Sequence, residues 1–574
     1  MQKTGFECVY GLFDTTARED SIPTTAYNQN FGSVVKVKDD IESEDYATLE
    51  QDYFLLNGTY PELPDAPQDV VFFSSEMSGE DGAFAENPTM QVSFTEKHGS
   101  CGLTFYFVGE PPEEMRIKWY DIHSNLIADA TFAVDSQKYL AWKQVENYTK
   151  LLIEFTKAKP YRYVKVRYIE YGTRLLCGGD GLPVKDASLI EECSPISDKI
   201  AVNKLSFKLI DENNDFNIGN MSGLHKVLQN GQECTAYETV NGERLLLGRF
   251  FLDGHGTDKN ITDISCVDFK GLLDNAIFRG GKVYDGDLAG PVIDQIMETA
   301  GISDYTVDDA TRAVRLYGWL KNQTCRKALR EVLFAAGAVA DSSRRSTFDI
   351  YIPGRKVQST IKRTRKFSTS VENLDYISDV SVKFPVYTLD SAVKQILKGT
   401  YQPGTYTVDL SSPAEDMTIA GGIITEQTNN YVSFQVAAAG EVIISGKKYV
   451  KEDLTVTVAE EKVPAGHVRA GKSFTCTLLD VASAQAAAAR LLDYYSLRLG
   501  IKIKFLNDGD RPVDWAEIQN QYRIYGSYLA GLEKVTTDLT GGFVSTAQLR
   551  GYYKLAEDFY YTGELFSGED FGGI

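Results

Sequence analysis

The sequence predicts a multidomain α+β protein in which β-strands predominate. The chain has 574 residues, more than a single hydrophobic core usually holds, so several domains are expected. Its 33 tyrosines and 29 phenylalanines, against four tryptophans, suit many short strands, because aromatic side chains pack well on a pleated surface. Short alternating or continuous apolar segments recur along most of the chain, whereas helix-length apolar patterns are few.

After an N-terminal segment over residues 1–88, the first predicted domain covers residues 89–172. Its apolar segments are short and separated by turns, a spacing typical of a β-sandwich. The predicted strands are LTFYF (103–107), MRIKWYD (115–121), LIADATF (126–132), KLLIEFT (150–156) and YRYVKVRYI (161–169).

Residues 173–288 are predicted as a second β-rich domain, with a hairpin turn at Asn241-Gly242. A mixed α/β module follows over residues 289–385. Gly301 and Gly337 follow its two helices, where a left-handed residue commonly ends a helix. The predicted elements are the strands 204–211, 233–240, 244–253 and 261–269 and the helices PVIDQIMETA (291–300) and TCRKALREVLFAAG (324–337) with Thr324 as N-cap.

The remaining chain is divided into a β-rich insertion over 386–465, a domain with a long Ala-rich helix over 466–553, and a tail over 554–574. The helix is predicted for DVASAQAAAARLLDYYSLRL, residues 480–499. The predicted strands are 404–410, 431–438, 441–446 and 454–460 in the insertion, and 501–508, 522–528, 531–538 and 543–553 after the helix.

The charge balance argues against specific nucleic-acid binding. The formal net charge is −21, whereas a phosphate-binding surface needs clustered Lys and Arg. The one basic run, Lys362-Arg363-Thr364-Arg365-Lys366, is interpreted as a solvated strand edge or a subunit contact. Residues 1–20 contain no apolar signal region and no segment approaches the length of a membrane span, so a soluble, unsecreted chain is expected.

The potential metal ligands are scattered. The eight cysteines form no C-x-x-C pair or Cys/His cluster, so buried free thiols are expected. The five histidines have no paired spacing. The loop from Asp211 to Asn217 resembles the start of a calcium loop, but Phe216 stands where that loop needs Gly and Ser222 where it needs Glu. A turn rich in Asn and Asp is the preferred interpretation.

One motif matches a nucleotide-binding pattern. GHVRAGKS, residues 466–473, fits the phosphate-loop pattern, which works only between a buried strand and a helix N-terminus. The preceding residues, EEKVPA (460–465), are charged and broken by Pro464. The match is therefore interpreted as chance. No other catalytic constellation stands out, so we assign no catalytic, cofactor-binding or metal-binding residue and expect a structural or binding protein rather than an enzyme.

Several stretches spread along the chain resemble the tail-tip or baseplate hub proteins of phages and prophages of Gram-positive bacteria, in the amino-terminal region of tail-associated lysins. They are YATLEQDYFLLNG (46–58), IKWYDIHSNLIAD (117–129), VENYTKLLIEFTKAKPYRYVKV (145–166), residues 202–232, RFFLDGHG (249–256), CRKALREVLFAAGAVADSSR (325–344), AQAAAARLLDYYSLRLGIKIKF (484–505) and DLTGGFVSTAQLRGYY (538–553). None is a catalytic signature, so the resemblance depends on their order and number.

The resemblance implies a virion protein, made in the cytoplasm of the host bacterium, that closes the tail tube as a homotrimer. Its expected neighbours are the distal tail ring and a spike or central fibre, with DNA passing through the lumen without specific binding. Residues 173–288 and 466–553 would be tube-type β-barrels, and 89–172 and 386–465 inserted domains. This chain ends at Ile574, without the cell-wall hydrolase often appended in the family. The alternative is a carbohydrate-binding adhesin on the host surface.

A faint internal repeat supports two similar barrels. FFLDGHGTDKNITDISCVDFKG (250–271) and SYLAGLEKVTTDLTGGFVSTAQLRG (527–551) both read as a strand, a polar turn, a second strand, then a basic residue and Gly. Three chains with two such barrels each would supply six near-equivalent wall units, as a sixfold tube requires. We therefore predict the same topology for both segments.

Overall fold

The computed structural model describes residues 4–13, 15–25, 34–38, 50, 71–179, 181–212, 214, 216–217, 219–220, 228–519 and 526–555. Strands dominate these residues and are distributed over several sheets. The prediction of a multidomain, predominantly β protein is therefore confirmed. The stretch 46–58 and the tail over 554–574 lie almost wholly outside the described residues, and so do residues 522–525 of the strand predicted at 522–528.

The first elements of the chain are β1 (Thr4–Phe13), α1 (Thr15–Asp20), β2 (Ile22–Thr24), β3 (Phe72–Phe73), β4 (Thr89–Phe107), β5 (Glu114–Tyr120), β6 (Leu126–Ala133), β7 (Lys138–Lys157) and β8 (Lys165–Glu170). The strand β1 belongs to a large sheet described below as the central sheet. The other strands form a seven-stranded sheet in the order β3-β8-β4-β7-β5-β6, with β2 paired to β4. This sheet encloses a core around Trp119, Phe105 and Phe155.

The predicted two-sheet sandwich over 89–172 is thus one sheet. The strands β4 and β7, which pair with each other, are much longer than predicted, and their ladder shifts register three times between Ser93 and Gly102. Such irregularities bend a strand, so a single sheet can surround a core without splitting.

The chain then forms β9 (Gly172–Gly178), β10 (Val184–Glu192), β11 (Lys204–Ile210), β12 (Glu233–Val240), β13 (Glu243–Asp258), β14 (Ile261–Val267) and α2 (Phe269–Leu272). The strands β9 to β14 join β1 in the central sheet. Their inward residues include Phe207, Leu189 and Leu252. Exposed and buried residues alternate along β11, which matches the period-2 pattern that predicts the strand.

The mixed module contains β15 (Ile277–Phe278), β16 (Val283–Leu288), α3 (Ala289–Ala300), β17 (Tyr305–Val307), α4 (Asp309–Arg312), β18 (Arg315–Trp319), β19 (Gln323–Thr324), α5 (Cys325–Ala336), β20 (Val339–Asp341) and β21 (Phe348–Tyr351). Gly301 and Gly337 are left-handed at the ends of α3 and α5, as predicted. The Thr324 side chain accepts a hydrogen bond from the Lys327 amide and caps α5.

Two strands of the central sheet, β22 (Val357–Ile361) and β23 (Lys366–Asn373), precede the inserted arm. The arm has sheets of four and three strands, formed by β24 (Asp379–Tyr401), β25 (Gly404–Asp409), β26 (Ala414–Ala420), β27 (Ile423–Gln427), β28 (Tyr431–Val436), β29 (Gly440–Ala459) and β30 (Gly471–Thr475). The two strands predicted at 441–446 and 454–460 are one strand, β29, because β24 pairs along its whole length.

The last elements are α6 (Val481–Ser496), β31 (Leu499–Leu506), β32 (Trp515–Gln519), β33 (Gly526–Asp538) and β34 (Val544–Leu555). Asp480 and Ser483 form a capping box at the start of α6. The helix packs against β24 and β29 at the base of the arm and against α5 of the mixed module, and its buried residues include Ala484, Ala487 and Leu491. It ends before the predicted residue 499, because Leu499 already pairs with Asn373 in the central sheet.

The central sheet has thirteen strands, with the path β23-β31-β34-β33-β10-β11-β14-β13-β12-β1-β9 and with β32 and β22 branching from β33. Residues 173–288 and 466–553 therefore share one sheet, which also takes strands from outside both ranges. In the described residues its ladder does not return from β9 to β23, so neither predicted barrel is closed by hydrogen bonds. The reason is that β33 pairs with β10 of the other segment.

Candidate functional site

The phosphate-loop pattern lies in a setting that differs from a nucleotide site. Lys472 and Ser473 belong to β30, which pairs in parallel with Val380 and Ser381 of β24. The next helix begins only at Val481. The residues Gly471 to Ser473 of the pattern therefore lie in a strand ladder and not at a helix N-terminus, where their amides could bind an anion.

Two residues of the basic run are held inside the chain, so the interpretation as a solvated strand edge does not hold for Arg365 and Lys366. Arg365 forms an ion pair with the buried carboxylate of Asp510 and donates a hydrogen bond to the carbonyl of Leu506, 3.1 Å away. Lys366 is buried and donates to the carbonyl of Gln519. Burial lowers the pKa of the Lys366 ammonium below its ordinary value. These two cations therefore connect the start of β23 to β31, to β32 and to the loop between them.

The loop after Asp211 has the hydrogen bonds of a turn. A carboxylate oxygen of Asp211 accepts from the Phe216 amide at 3.0 Å. In the described part of the chain, no three His, Cys, Asp or Glu side chains gather where they could hold a metal ion. Seven cysteines are free and buried, as expected, and the Sγ atoms of Cys234 and Cys266 are 3.5 Å apart.

The central sheet consists of two halves with the same strand order. The first half is β10-β11-β14-β13-β12-β1, and the second half is β23-β31-β34-β33-β32-β22. The strands of the two halves also occur in the same order along the chain. The first half contains β1, β10, β11, β12, β13 and β14, and their counterparts in the second half are β22, β23, β31, β32, β33 and β34. The predicted common topology is therefore found as a common strand order, on an open sheet.

The two halves also share their register. With Leu252 placed on Leu532, the pair Leu205–Cys266 corresponds to Ile501–Leu549. Both hairpins carry a one-residue bulge at the same place, Asp253 in β13 and Glu533 in β33. A second bulge also recurs, at Lys185 in β10 and Phe367 in β23. One pairing differs, because β1 is antiparallel to β12 whereas β22 is parallel to β32.

The halves are joined where β10 of the first half pairs with the end of β33 of the second. This joint runs from Ser188 opposite Asp538 to Glu192 opposite Lys534. The side chains of Leu189 and Thr537 face each other across it and are fully buried. Leu539 and Phe543, from the turn after β33, insert into the core of the first half. The joint is therefore a packed interface within one chain.

A buried carboxylate lies at this joint. Glu191 is 1% exposed, and neither of its carboxylate oxygens has a hydrogen-bond partner among the described residues. The Nε atom of Arg344 lies 3.5 Å from one of them. Burial raises the pKa of Glu191 to about 7, although Arg344 opposes the shift. The group thus titrates near neutral pH.

The solvent-exposed face of the sheet forms a groove of about 770 Å³ beside the joint. Strands of both halves line it. Its charged side chains are Asp186, Asp263 and Asp538 against Lys208, and serines and threonines make up half of the other lining residues. The charged side chains give this surface a net negative charge, and the only Phe, Tyr or Trp among its lining residues, Phe207, is buried.

Sequence reasoning located the hairpins of both halves but missed the joint. The repeat of 250–271 in 527–551 is the sequence signal that had marked β13-β14 and β33-β34 as equivalent. Nothing in the local pattern of β10 indicates that its partner is β33, because pairing between distant strands leaves no periodicity in the sequence.

Comparison with solved structures finds tail proteins. The chain is similar to a tail protein from Neisseria meningitidis (12% identity, 65% of this chain and 92% of that chain, TM-score 0.39). It is also similar to a 43-kDa prophage tail protein from Shewanella oneidensis (10%, 64% and 94%, 0.37) and to a prophage tail protein from Listeria monocytogenes (11%, 64% and 95%, 0.35).

No family model and no curated protein matches the chain. Among the described residues, no helix has the length and apolar character needed to cross a bilayer. The function of the chain and the family to which it belongs are therefore proposals.

Proposed function

We propose that this chain is a structural protein of a phage or phage-like tail, a trimeric hub that closes the tail tube and joins it to a spike or fibre. The observation that carries the proposal is the repeat of strand order and register in the two halves of the central sheet. Two equivalent units fused in one chain allow three chains to present six units. A threefold protein can then adjoin a sixfold tube.

The charge of the groove suits the wall of a lumen. The groove lies on the face of the shared sheet that is turned away from the core, and its carboxylates outnumber its cations. A negatively charged wall repels DNA phosphates, so DNA passes without binding. The proposed neighbours are a distal tail ring on one side and a spike or central fibre on the other. The proposed location is the tail tip of the virion.

The proposal assigns no catalytic role to the chain. Two buried carboxylates, Glu191 and Asp268, lie at packed junctions. Glu191 has an ionic contact with Arg344, and Asp268 has one with Lys270. They are interpreted as structural.

Electron microscopy of particles labelled with a gold-conjugated antibody against this chain tests the proposal. We expect the label at the tip of the tail, and we expect particles made without the chain to lack a closed tail tip. Label on the capsid, or intact tail tips in particles that lack the chain, would contradict the proposal.

A second candidate function is carbohydrate binding by the 89–172 region. Trp142 on β7 is 47% exposed, and exposed aromatic rings commonly stack on sugars. A glycan array with the full chain and a Trp142→Ala variant tests it. Binding that depends on Trp142 would favour an adhesin role, whereas no binding would leave this region as structural decoration.

A further inference from the structure

The first half of the central sheet has a strand paired along the outer edge of β10, whereas the equivalent edge of the second half is unpaired in the described residues. In the first half, β10 is covered along its outer edge by residues 534–538 of β33. Its counterpart in the second half is β23. Within the described residues, β23 has a ladder on one side only, to β31.

The complementary edge is vacant in the same way. Residues 534–538 of β33 correspond to the end of β13, which includes Gly256, Thr257 and Asp258. In the described part of the chain these three residues have a ladder to β14 alone, because β12 pairs with β13 only as far as Phe251. Each half thus has two strand edges that can pair with the other half. Within the described part of the chain, only the pairing of β10 with β33 is formed, and the edges of β23 and of the end of β13 are left open.

We infer that a second copy of this chain completes the vacant joint, with β23 of one copy pairing antiparallel to the end of β13 of the next. The register follows from the internal joint. Ser188 opposite Asp538 becomes Ser370 opposite Asp258, and Leu189 opposite Thr537 becomes Val371 opposite Thr257. Glu372 then faces Gly256. The inference rests on the trimer proposed above and specifies its interface.

Burial supports this register. Leu189 is fully buried in the internal joint, whereas its counterpart Val371 is 38% exposed in the single chain. Val371 pairs with the buried Ile501 and lies on the core side of the second half. Covering it removes an apolar side chain from water, and a strand edge that exposes apolar residues is prone to pair with another chain.

Charge also supports it. The outward side chains next to β23 include Lys502 and Lys504 on β31, and both are exposed. Asp258 on the receiving edge is exposed as well, and Asp263 on β14 pairs with Gly256, two residues before Asp258. The proposed register brings Asp258 opposite Ser370, next to Lys502, so opposite charges face each other across the joint.

The two joints differ in one respect. In the internal joint, Leu539 and Phe543 from the turn after β33 enter the partner core. The turn after β13 is short and holds Lys259 and Asn260. The joint between copies therefore depends on strand pairing and on the strip around Val371, so it is the weaker and more salt-sensitive of the two.

Cysteine cross-linking in the full chain tests the register. The Val371→Cys/Thr257→Cys double variant is oxidised with copper–phenanthroline and compared with each single variant. A matched control, Ser368→Cys/Thr257→Cys, moves one thiol three residues along β23, about 10 Å away. We expect covalent dimers and trimers on denaturing gels from the first pair only. Cross-linking by the control or a single variant, or none by the first pair, overturns the inference.

The mass of each variant in solution separates this inference from the proposed function. A trimer that does not cross-link refutes this joint and leaves the hub proposal standing, whereas a monomer refutes both. A second variant, Val371→Lys, places a charge in the strip. We expect it to weaken association about tenfold or more. Val357→Lys is the control, because Val357 on β22 is also 38% exposed. Equal association by both variants would overturn the inference.

Discussion

Glu191 gives the stability of the protein a distinctive pH dependence. Because burial raises its pKa to about 7, the folded chain favours the protonated carboxyl. The resulting stabilisation is complete below the ordinary pKa and is lost as the pH rises through 7. We expect Glu191→Gln to remove this loss, which amounts to about 3 kcal/mol between pH 5 and 8. Urea unfolding at several pH values measures it, and an unchanged pH dependence in the variant would contradict the assignment.

The neighbouring Glu192 is a control with the opposite sign. Burial raises the pKa of Glu192, but the ion pairs with Lys199 and Lys534 lower it by more, so the net shift is downward. The Lys534 ammonium lies 3.3 Å from the carboxylate. Its stabilisation is therefore present at neutral pH and lost as the solution becomes acidic. We expect Glu192→Gln to be less stable than the wild type at pH 7 and equally stable near pH 3. Greater stability at pH 7 would contradict the ion pairs.

Lys472 tests the interpretation of the phosphate-loop pattern. Its side chain is exposed and its backbone pairs with Val380 in a strand ladder. We expect Lys472→Ala to change the free energy of unfolding by less than about 0.5 kcal/mol. Assembly should also be unchanged. Tight ATP binding by titration calorimetry that is lost in the variant would restore the nucleotide-binding alternative.

At the scale of elements, the turn between β33 and β34 locks the two halves together. Leu539 is buried in the core of the first half although it belongs to the second. We expect Leu539→Ala to destabilise the chain by about 2–5 kcal/mol, because it leaves a cavity. Thr540→Ala in the same turn is the control, since Thr540 is exposed. Hydrogen exchange should become faster in β10 and β11. If exchange increases only in the second half, the turn does not couple the halves.

Local patterns predicted elements better than they predicted sheets. The strand over 233–240 and the caps at Thr324, Gly301 and Gly337 are as predicted, because alternation and capping are properties of neighbouring residues. In the described residues, the predicted sandwich is one hydrogen-bonded sheet and neither predicted barrel is closed by hydrogen bonds, for a different reason. Each depends on which distant strands pair, as when Tyr10 pairs with Cys234, and that choice is made by the packed core.

At the scale of the whole molecule, the site consists of the two similar halves of the central sheet and of the unpaired edges of β23 and of the end of β13 in the described residues. The faint repeat in the sequence was enough to predict two similar units. It was not enough to predict that β1, β22 and β23 complete them, since these strands lie outside the predicted ranges and carry no sign of their partners. A fused pair of units with one joint satisfied and one vacant is what a head-to-tail ring requires.

Cryo-electron microscopy of the assembled full chain tests the central claim most directly. The account predicts a ring of three chains in which first and second halves alternate, six units around one axis, with β23 of each chain beside β13 of the next. The groove with Asp186, Asp263 and Asp538 should face the lumen. A ring with another number of chains, halves that do not alternate, or a lumen lined mainly by Lys and Arg would contradict it.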